Sequence, residues 1–251
     1  MTRCFISLGG NQGAVDQTFD QALARLAGAP GTKLTAVSRY FRTEPVGDDA
    51  GGGYLNAAAE IETILPPFEL LDLLQAIEAE FGRTRTIRWG PRSLDLDLLF
   101  YGSELIATPR LVVPHRAAWY RRFVLDPLVE IAPRFVHPER AVDITALRDR
   151  LLPRPLEVLV AGGTVKSRTD LIQMLTAFFR QARLHGLEPG ARPLDLLSQA
   201  TLIFWLGNPI SPAGVAALEY SQLPTVSRLD VTAATERPVD FARHVLQSAL
   251  G

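Results

Sequence analysis

Apolar and polar positions over roughly the first 150 residues predict strands and helices in alternation. A period of two, or a short apolar run, predicts a strand, whereas apolar residues three and four apart predict a helix. In chain order these patterns predict a strand over 4–9, a helix over 14–28, strands over 34–45 and 54–65, a helix over 66–82 and a strand over 94–101. The order βαββαβ is the ferredoxin-like pattern. We therefore predict an α/β (α+β) fold whose sheet has helices on one face and a second face free for a site.

A different pattern begins after Pro153 and Pro155, where prolines punctuate the chain. It predicts, in chain order, a strand over 158–163, a helix over 168–186, a strand over 201–209, a helix over 212–220, a strand over 225–231 and a helix over 239–251. We therefore predict two domains, over 1–153 and 156–251. The second is expected to be a small α/β domain.

The strand predicted over 94–101 carries two carboxylates. Side chains alternate along a strand, so Asp95 and Asp97 share one face while the leucines beside them share the other. Burying unpaired carboxylates costs on the order of several kcal/mol each, so a cation should lie beside them. One candidate is Mg²⁺, which usually takes one or two carboxylates together with phosphate oxygens. The alternative is that the two aspartates form ion pairs with Arg88 and Arg92 on a solvated face.

Arginines cluster around this strand. Between the second helix and the strand lie Arg83, Arg85, Arg88 and Arg92. Four cations exceed what two carboxylates need for ion pairing, and arginine binds phosphate oxygens bidentately, so we predict a polyphosphate ligand. Farther along, the segment "PRLVVPHRAAWYRRFVLDPL" adds Arg110, His115, Arg121 and Phe123.

Composition narrows the classes of partner. A net charge of −1 over 251 residues offers no bulk attraction for nucleic acid or for an anionic membrane. The sequence shows no run of about 18 apolar residues and no signal-peptide pattern, so we expect a cytoplasmic protein. The single cysteine, Cys4, cannot form an internal disulfide, and its apolar neighbours predict an inert thiol.

Several segments of the chain together carry a resemblance to a known family. In chain order they are "FRTEPVG", "YLNAAAEIET", "IEAEFGRTR", "RWGPRSLDLDLLFYG" and "VPHRAAWYRRFVLDPL". Over roughly residues 1 to 150 the chain resembles the 6-hydroxymethyl-7,8-dihydropterin pyrophosphokinases. This resemblance implies a ferredoxin-like fold. It also implies transfer of a pyrophosphoryl group from ATP to the hydroxymethyl group of the dihydropterin, with release of AMP, in folate biosynthesis.

The resemblance further implies how metal and pterin are bound. Asp95 and Asp97 match carboxylates that hold two Mg²⁺ ions, which bridge the ATP phosphates and the pterin hydroxyl. The residues that match the pterin site are Tyr54 and Phe123, which sandwich the ring, Asn56, which hydrogen-bonds its edge, and Thr43 and Val46, which line the pocket. Aromatic stacking of this kind contributes about 0.5–1.5 kcal/mol beyond area burial.

By the same resemblance, other residues contact the nucleotide or act in the transfer. Those that match nucleotide and phosphate contacts are Gln75, Glu78, Arg88, Trp89, Arg110, His115 and Arg121. Arg83, Arg85 and Arg92 match a catalytic loop and its anchoring arginine, which would neutralise charge on the transferring group. The pterin hydroxyl would lose its proton to Asp97 or to solvent.

Two residues depart from the family pattern. Arg116 stands where an aromatic residue or proline is commoner, and Val112 occupies a position that can carry a hydroxyl contact with ATP. We expect weaker or altered contacts at the outer edge of the nucleotide and no change of reaction.

The C-terminal segment leaves more than one interpretation open. Its closing strands and helix resemble the tail of a P-loop nucleoside kinase without the catalytic parts. Around "GGTVKS" (162–167), Val160 and Val165 stand where a phosphate-binding loop needs glycine, so Lys166 and Ser167 are interpreted as an ordinary helix start rather than a phosphate site. We expect a docking or self-association role, and the alternative is a second folate-pathway activity. A ferredoxin-like RNA-binding module is a further alternative, but its sheet should be basic and aromatic rather than acidic.

Overall fold

The computed structural model describes the chain over residues 1–46, 52–82, 92–187, 197–207 and 219–251. It divides into two compact units, Met1–Arg148 and Asp149–Leu250. Both contain helices and a sheet, which confirms the predicted mixed α/β class.

The first unit is built on one antiparallel sheet. Its elements in chain order are β1 (Thr2–Gly10), α1 (Val15–Gly28), β2 (Thr32–Val37), β3 (Phe41–Thr43), β4 (Tyr54–Thr63), α2 (Pro67–Glu80), β5 (Asp95–Tyr101), β6 (Ile106–Ala107), β7 (Val112–Val113), α3 (Arg122–Ile131) and α4 (Ile144–Asp149). The strand order is β2-β4-β1-β5, with β3 pairing to one end of β4 and every neighbouring pair antiparallel. Strands β6 and β7 form a separate hairpin.

The single strand predicted over 34–45 is two strands, β2 and β3. Between β2 and β3, the side chain of Ser38 makes one of the hydrogen bonds to β4 that a strand would make with its backbone. Its backbone N–H donates to the carbonyl of Ala58 at 2.9 Å, but its hydroxyl oxygen, rather than its carbonyl, accepts from the Ala58 N–H at 2.9 Å. The prediction of one continuous strand was wrong here because a serine hydroxyl competes with the backbone as a hydrogen-bonding partner.

One face of the sheet packs on the helices α1 and α2. Leu8 on β1 and Leu96 on β5 point into this core, where they join Phe19 of α1 and Leu70 of α2. The core follows from the sequence, since alternate residues of the strands and the apolar stripes of the two helices meet at one layer.

The opposite face is open at one end. Across β4, β1 and β5, Asn56 is paired with Gly9 and Gly9 with Asp95, so these residues share that face. On the same face α3 contacts β3 and β4, and Phe135 packs against Phe5 with ring centroids 4.8 Å apart. The expectation of a wholly free second face is therefore corrected, because α3 covers part of it and the aromatic cluster covers the end that carries Phe5 and Phe100.

His137 adds a buried titratable group to the covered end. It is 1% exposed and packs edge-on against Phe100 at 5.2 Å. Burial and the nearby charge of Arg140 lower the pKa of His137 from 6.5 to about 4. An unfolded chain therefore binds a proton between pH 6.5 and pH 4 that the folded protein does not bind.

This difference predicts a loss of stability in mild acid. Between pH 7 and pH 5, His137 should lower the free energy of unfolding by about 2 kcal/mol, and it should contribute no such pH dependence above pH 7. His137→Asn keeps an acceptor near the Glu139 N–H, which donates to the His137 ring nitrogen at 3.3 Å, but it does not titrate. Urea unfolding of both proteins at the two pH values measures the difference. An equal drop in both would contradict the assignment.

The second unit holds a parallel sheet. Its elements are β8 (Leu156–Ala161), α5 (Val165–Phe178), β9 (Ala182–Gly186), β10 (Leu202–Trp205), a 3₁₀ turn (Tyr220–Gln222), β11 (Arg228–Asp230) and α6 (Pro238–Leu250). The strand order is β11-β10-β8-β9. The helix predicted over 212–220 lies almost wholly outside the described residues.

The helix predicted over 168–186 was wrong in its second half. It ends at Phe178, and Ala182–Gly186 form β9 beside β8. In β9 the side chains of Arg183 and His185 point to the same side and reach Glu157 at 2.9 and 3.0 Å. This period of two is a strand pattern, which the apolar spacing of the preceding helix concealed.

The segment "GGTVKS" begins α5 as an ordinary helix start. The hydroxyl of Thr164 accepts from the N–H of Ser167 at 3.1 Å, and the Ser167 hydroxyl accepts from the N–H of Thr164 at 2.9 Å. Such a capping box satisfies two of the backbone donors at a helix N-terminus. Lys166 pairs with Asp170 at 2.6 Å.

Within the described residues, no helix is both long and apolar enough to cross a bilayer.

Candidate functional site

Two carboxylates stand at the start of β5 on the open end of the sheet. Asp95 lies opposite Gly9, and Asp97 lies opposite Ser7. Because Gly9 has no side chain, it leaves room between Asp95 and Asn56 on the next strand. The leucines of β5 that alternate with the aspartates are buried, which confirms the predicted division of faces.

Arg92 forms an ion pair with Asp95, and both side chains are partly exposed. The ion-pair interpretation is thus correct for this one pair. Among the residues that the structure describes, no ion pair is made by Asp97. Arg83, Arg85, Arg88 and Trp89 lie outside the described residues, so their predicted contacts remain predictions.

Asp97 lines a pocket of about 310 Å³ together with residues predicted to bind the nucleotide. The pocket lies where α2, β5 and the segment around β7 meet. Four of the predicted nucleotide contacts line it: Gln75, Glu78, Arg110 and His115. Val112 and Arg116, the two departures from the family pattern, also line this pocket. The structure therefore brings together residues that are up to 41 positions apart in sequence.

Glu78 has a structural contact that its sequence pattern did not reveal. Its side chain is 3% exposed, and its carboxylate accepts a hydrogen bond from the Leu96 N–H at 2.7 Å. Leu96 lies between the two aspartates, so Glu78 ties α2 to the part of β5 that carries them. A buried carboxylate that accepts from a backbone N–H makes one of the stronger hydrogen bonds in a protein.

His115 is a neutral group beside Asp97. Burial lowers the pKa of His115, an effect that the charge of Asp97 opposes and that of Arg121 reinforces. Its backbone N–H donates to the Leu99 carbonyl at 2.9 Å, which anchors the segment after β7 to β5. At neutral pH its ring can therefore donate one hydrogen bond and accept another.

A second and larger pocket, of about 740 Å³, contains most of the predicted pterin residues. Thr43, Tyr54 and Phe123 line it, as does Phe41. Burial raises the pKa of Tyr54; the charge of Arg92 opposes this shift and that of Asp95 adds to it.

Two predicted pterin residues are placed differently. Asn56 is 5% exposed, and its amide nitrogen donates to the Thr43 hydroxyl oxygen at 2.8 Å. It therefore underlies the pocket and holds Thr43 in place. Val46 is not among the residues that form the pocket walls.

Arg121 acts on one residue of each pocket. Its guanidinium is 5.5 Å from the centroid of the Phe123 ring, and its charge lowers the pKa of His115. A cation over an aromatic face is attracted by the ring electrons. Arg121 therefore contacts a wall of the larger pocket and acts electrostatically on the smaller one.

Sequence reasoning missed the ion pairs in the wall of the larger pocket. Arg122 pairs with Asp126 at 2.9 Å, and Arg39 pairs with Glu130 at 2.5 Å. The hydrogen bonds from Arg39 hold the pKa of Glu130 below its usual range. The first pair follows the i,i+4 spacing of a helix and had a signal in the sequence. The second joins residues 91 apart, so no local pattern indicated it.

The carboxylates lie between the two pockets. Asp97 lines the smaller pocket, while Asp95 lies across Gly9 from Asn56, which is two residues from Tyr54 in the wall of the larger pocket. The arrangement can hold two ligands with their reacting ends at the aspartates, one flat and apolar and the other anionic.

The donor set suits a metal that arrives with a ligand. Within the described ranges, no three His, Cys, Asp or Glu side chains are grouped so as to hold a metal ion. Two carboxylates without nitrogen or sulfur ligands are the set that Mg²⁺ takes when substrate phosphates supply the remaining oxygens. Asp95 and Asp97 therefore fit a phosphate-bound Mg²⁺ better than a metal held by protein alone.

Comparison with known proteins identifies relatives of the first unit. The model of the family 7,8-dihydro-6-hydroxymethylpterin-pyrophosphokinase (HPPK) matches residues 5–133. The 2-amino-4-hydroxy-6-hydroxymethyldihydropteridine pyrophosphokinase of Bacillus subtilis is 48% identical over 127 residues, which are 51% of this chain and 76% of that protein. The enzyme of the same name from Pseudomonas aeruginosa is 42% identical over 137 residues, or 55% of this chain and 85% of that protein. The bifunctional protein FolKE of Lactococcus lactis is 36% identical over 131 residues, or 52% of this chain and 38% of that protein.

Proposed function

Because the chain belongs to the 7,8-dihydro-6-hydroxymethylpterin-pyrophosphokinase family and transfers pyrophosphate from ATP to 6-hydroxymethyl-7,8-dihydropterin in folate biosynthesis, we propose that the transfer takes place at Asp95 and Asp97. The observation that carries this proposal is that the aspartates lie between two pockets. Asp97 lines the smaller pocket, and Asp95 lies across Gly9 from Asn56, which is two residues from Tyr54 in the wall of the larger one.

We propose a ferredoxin-like fold for the first unit. The strand order β2-β4-β1-β5, with antiparallel neighbours and α1 and α2 on one face, supports it. If β3 is set aside as a short extension, the elements follow the βαββαβ order of that fold. This topology places β1 between β4 and β5 and so brings distant residues to one face.

In the proposed site the larger pocket binds the pterin. Tyr54 and Phe123 supply the aromatic walls against which a flat ring can stack. Asn56 supports Thr43 through the 2.8 Å hydrogen bond, and the two together would present polar groups to the ring edge. We propose Val46 as a further contact on the resemblance of its sequence segment.

The smaller pocket binds ATP in this proposal. Arg110, which pairs with Asp72 in the protein, would exchange this carboxylate for phosphate oxygens. Gln75 and His115 offer neutral hydrogen-bonding groups, and Arg121 offers a charge near the boundary with the larger pocket. Val112 and Arg116 line the same pocket, so the altered contacts predicted from the sequence would arise there.

Asp95 and Asp97 would hold Mg²⁺ in company with the ATP phosphates, and we propose two ions, as the family resemblance implies. When bound, the metal would neutralise phosphate charge and orient the triphosphate. The Arg92 guanidinium lies against Asp95 and would remain close to the transferring group. Arg83 and Arg85 are proposed to add charge there on the strength of the sequence alone.

The reaction forms one bond and breaks another. The hydroxymethyl oxygen of the pterin bonds to the β-phosphorus of ATP, the bond from that phosphorus to the α,β-bridging oxygen breaks, and AMP leaves. The hydroxyl proton passes to Asp97 or to solvent. Positioning and electrostatic stabilisation carry most of such a transfer, which suits a site of fixed carboxylates and arginines.

The experiment that tests this proposal measures AMP formation from ATP and 6-hydroxymethyl-7,8-dihydropterin with Mg²⁺ present. AMP should form only when the pterin is added. The matched control is 6-methyl-7,8-dihydropterin, which fills the same pocket but lacks the attacking hydroxyl. AMP formation at equal rates with both pterins would refute the proposed transfer.

We propose that the second unit serves docking or self-association. Within its described residues no group of three His, Cys, Asp or Glu could hold a metal, and the matched family region ends at residue 133. The alternative, a second folate-pathway activity, draws on the bifunctional relative from Lactococcus lactis. Incubating the full chain with other pathway intermediates distinguishes the two. We also propose that the protein is cytoplasmic, where ATP is available.

A chain ending at Pro153 should retain pterin-dependent AMP formation within about tenfold of the full chain, or about 1.4 kcal/mol in transition-state terms. This cut keeps α4 whole, and about 150 residues suffice for an independent core. The measurement compares kcat/KM for both chains. A truncated chain that is folded and binds ATP but shows no turnover would instead assign the second unit to the mechanism.

A further inference from the structure

The turn after β1 holds the backbone of Arg92. The N–H of Asn11 donates to the Arg92 carbonyl at 2.9 Å, and the side-chain oxygen of Asn11 accepts from the Arg92 N–H at 2.9 Å. Both hydrogen-bonding groups of the Arg92 backbone are thus bonded to Asn11, 81 positions away, and the Arg92 carbonyl also accepts from the backbone N–H of Gln12 at 3.3 Å. This pair continues the contact between β1 and β5 beyond their last ladder partners, Gly9 and Asp95.

The same side chain also reaches the segment that leads into β4. The amide nitrogen of Asn11 donates to the carbonyl of Gly52 at 3.3 Å. Gly52 is two residues before Tyr54, the first residue of β4 and a wall of the larger pocket. The side-chain amide of Asn11 therefore accepts a hydrogen bond from Arg92 and donates one to Gly52. Of the residues that fit this turn, few offer both groups on so short a side chain.

Gly10 allows this close approach. A Cβ atom at Gly10 would lie 2.6 Å from the Ser93 carbonyl oxygen and 2.9 Å from a methyl carbon of Val15. Both distances are shorter than real Cβ contacts, so a larger residue would push the segment of Arg92 and Ser93 away from β1. In the sequence "GGN" at 9–11, Gly10 therefore permits the close approach and Asn11 makes the hydrogen bonds.

The anchored residue carries charge to the site. The Arg92 guanidinium is ion-paired with Asp95, and the charges of both groups act on Tyr54. A backbone held at both its N–H and its carbonyl restricts where the guanidinium can reach. Displacing a catalytic group by about 1 Å can reduce the rate by about 100-fold.

We infer that Asn11 is a positioning residue. Its hydrogen bonds to the Arg92 backbone hold the Arg92 side chain against Asp95, and its hydrogen bond to the Gly52 carbonyl holds the segment that leads into Tyr54. The inference rests on the proposed role of Arg92 in the transfer. Asn11 itself touches no substrate in this scheme and acts through its two partners.

The competing interpretation is that Asn11 only favours the turn. Serine also suits such turns, but its side chain is too short to join both partners. Asn11→Ser therefore separates turn formation from the bridging contact. Asn11→Ala removes both, and Gln12→Ala is the matched control, since the Gln12 side chain is exposed on the same turn.

We expect Asn11→Ala and Asn11→Ser to lower kcat by between about tenfold and 100-fold, with a smaller effect on the KM for ATP. Gln12→Ala should stay within about twofold of the unsubstituted protein. In a chain that already carries Arg92→Ala, adding Asn11→Ala should lower kcat by less than about threefold, because the group it positions is absent.

Three results would overturn the inference. They are Asn11→Ser with kcat within twofold of the unsubstituted protein, an equal loss from Asn11→Ala with and without Arg92, and a loss from Gln12→Ala as large as that from Asn11→Ser. If Asn11→Ala does not fold, as shown by its melting curve, Asn11→Ser in both backgrounds decides. The proposed function is judged separately, since it fails if the unsubstituted protein forms no AMP, whereas full turnover of Arg92→Ala alone would refute the proposed role of Arg92 and with it this inference.

Discussion

Asp97→Asn should reduce turnover by about 1,000-fold or more and leave the fold intact. Asp97 lies opposite Ser7 on the open end of the sheet, where it lines the smaller pocket. Asparagine has the same shape but no charge, and an amide is a poor ligand for Mg²⁺. The phosphate charge of ATP would then go uncompensated at the place where the transfer occurs.

The stability of the ligand-free protein should increase or stay the same when Asp97 is replaced by asparagine. Asp95 and Asp97 share one face of β5, so removing one charge relieves their mutual repulsion. We expect the melting temperature of Asp97→Asn without ligands to equal or exceed that of the unsubstituted protein. The matched control is Asp16→Asn, which changes an exposed aspartate on α1 away from both pockets. Turnover of Asp97→Asn close to normal at saturating Mg²⁺ would rule out the assigned site.

Arg92→Ala should depress turnover more than it weakens pterin binding, whereas Phe123→Ala should do the reverse. Arg92 is paired with Asp95 beside the proposed transfer point, so its charge acts on the group in transit. Phe123 lines the larger pocket and lies under the Arg121 guanidinium. Its loss should weaken pterin binding by about 1–3 kcal/mol, through lost stacking and burial.

The two variants are compared by titrating the pterin calorimetrically and by measuring kcat and KM for each substrate. Phe123→Ala should leave the affinity for ATP nearly unchanged, because the two pockets are lined by different residues. Phe41, also in the larger pocket, supplies a control: Phe41→Leu keeps an apolar wall and should cost less than Phe123→Ala. Should Arg92→Ala impair binding and Phe123→Ala impair turnover, the roles assigned to them would be exchanged.

Local periodicity determined the faces of the strands that carry the site. The alternation around Asp95 and Asp97, and around Tyr54 and Asn56, was predictable because a strand points successive side chains to opposite faces whatever it packs against. Helices α1 and α2 were predictable for a similar reason, since their apolar stripes are a property of the segment itself. The resemblance of whole segments supplied the family.

Errors arose where a neighbour in space overrides the local pattern. The strand predicted over 34–45 breaks at Ser38, whose hydroxyl bonds the Ala58 backbone. The helix predicted over 168–186 stops at Phe178, because Ala182–Gly186 find β8 as a pairing partner. Neither partner is visible from the segment alone, since strand pairing depends on which other strand lies beside it.

Contacts across the sheet were decided only by the tertiary structure. The sequence predicted that Arg92 lies near the aspartates, but it did not show which of them Arg92 pairs with. It also did not indicate that Asn11, 81 residues away, holds the Arg92 backbone. The sequence predicted that Glu78 lies on α2, but it did not indicate that its carboxylate accepts a hydrogen bond from the Leu96 N–H. Local spacing specifies the face on which a side chain lies, whereas the order β2-β4-β1-β5 and its register specify which faces meet, and that order exists only once the sheet has formed.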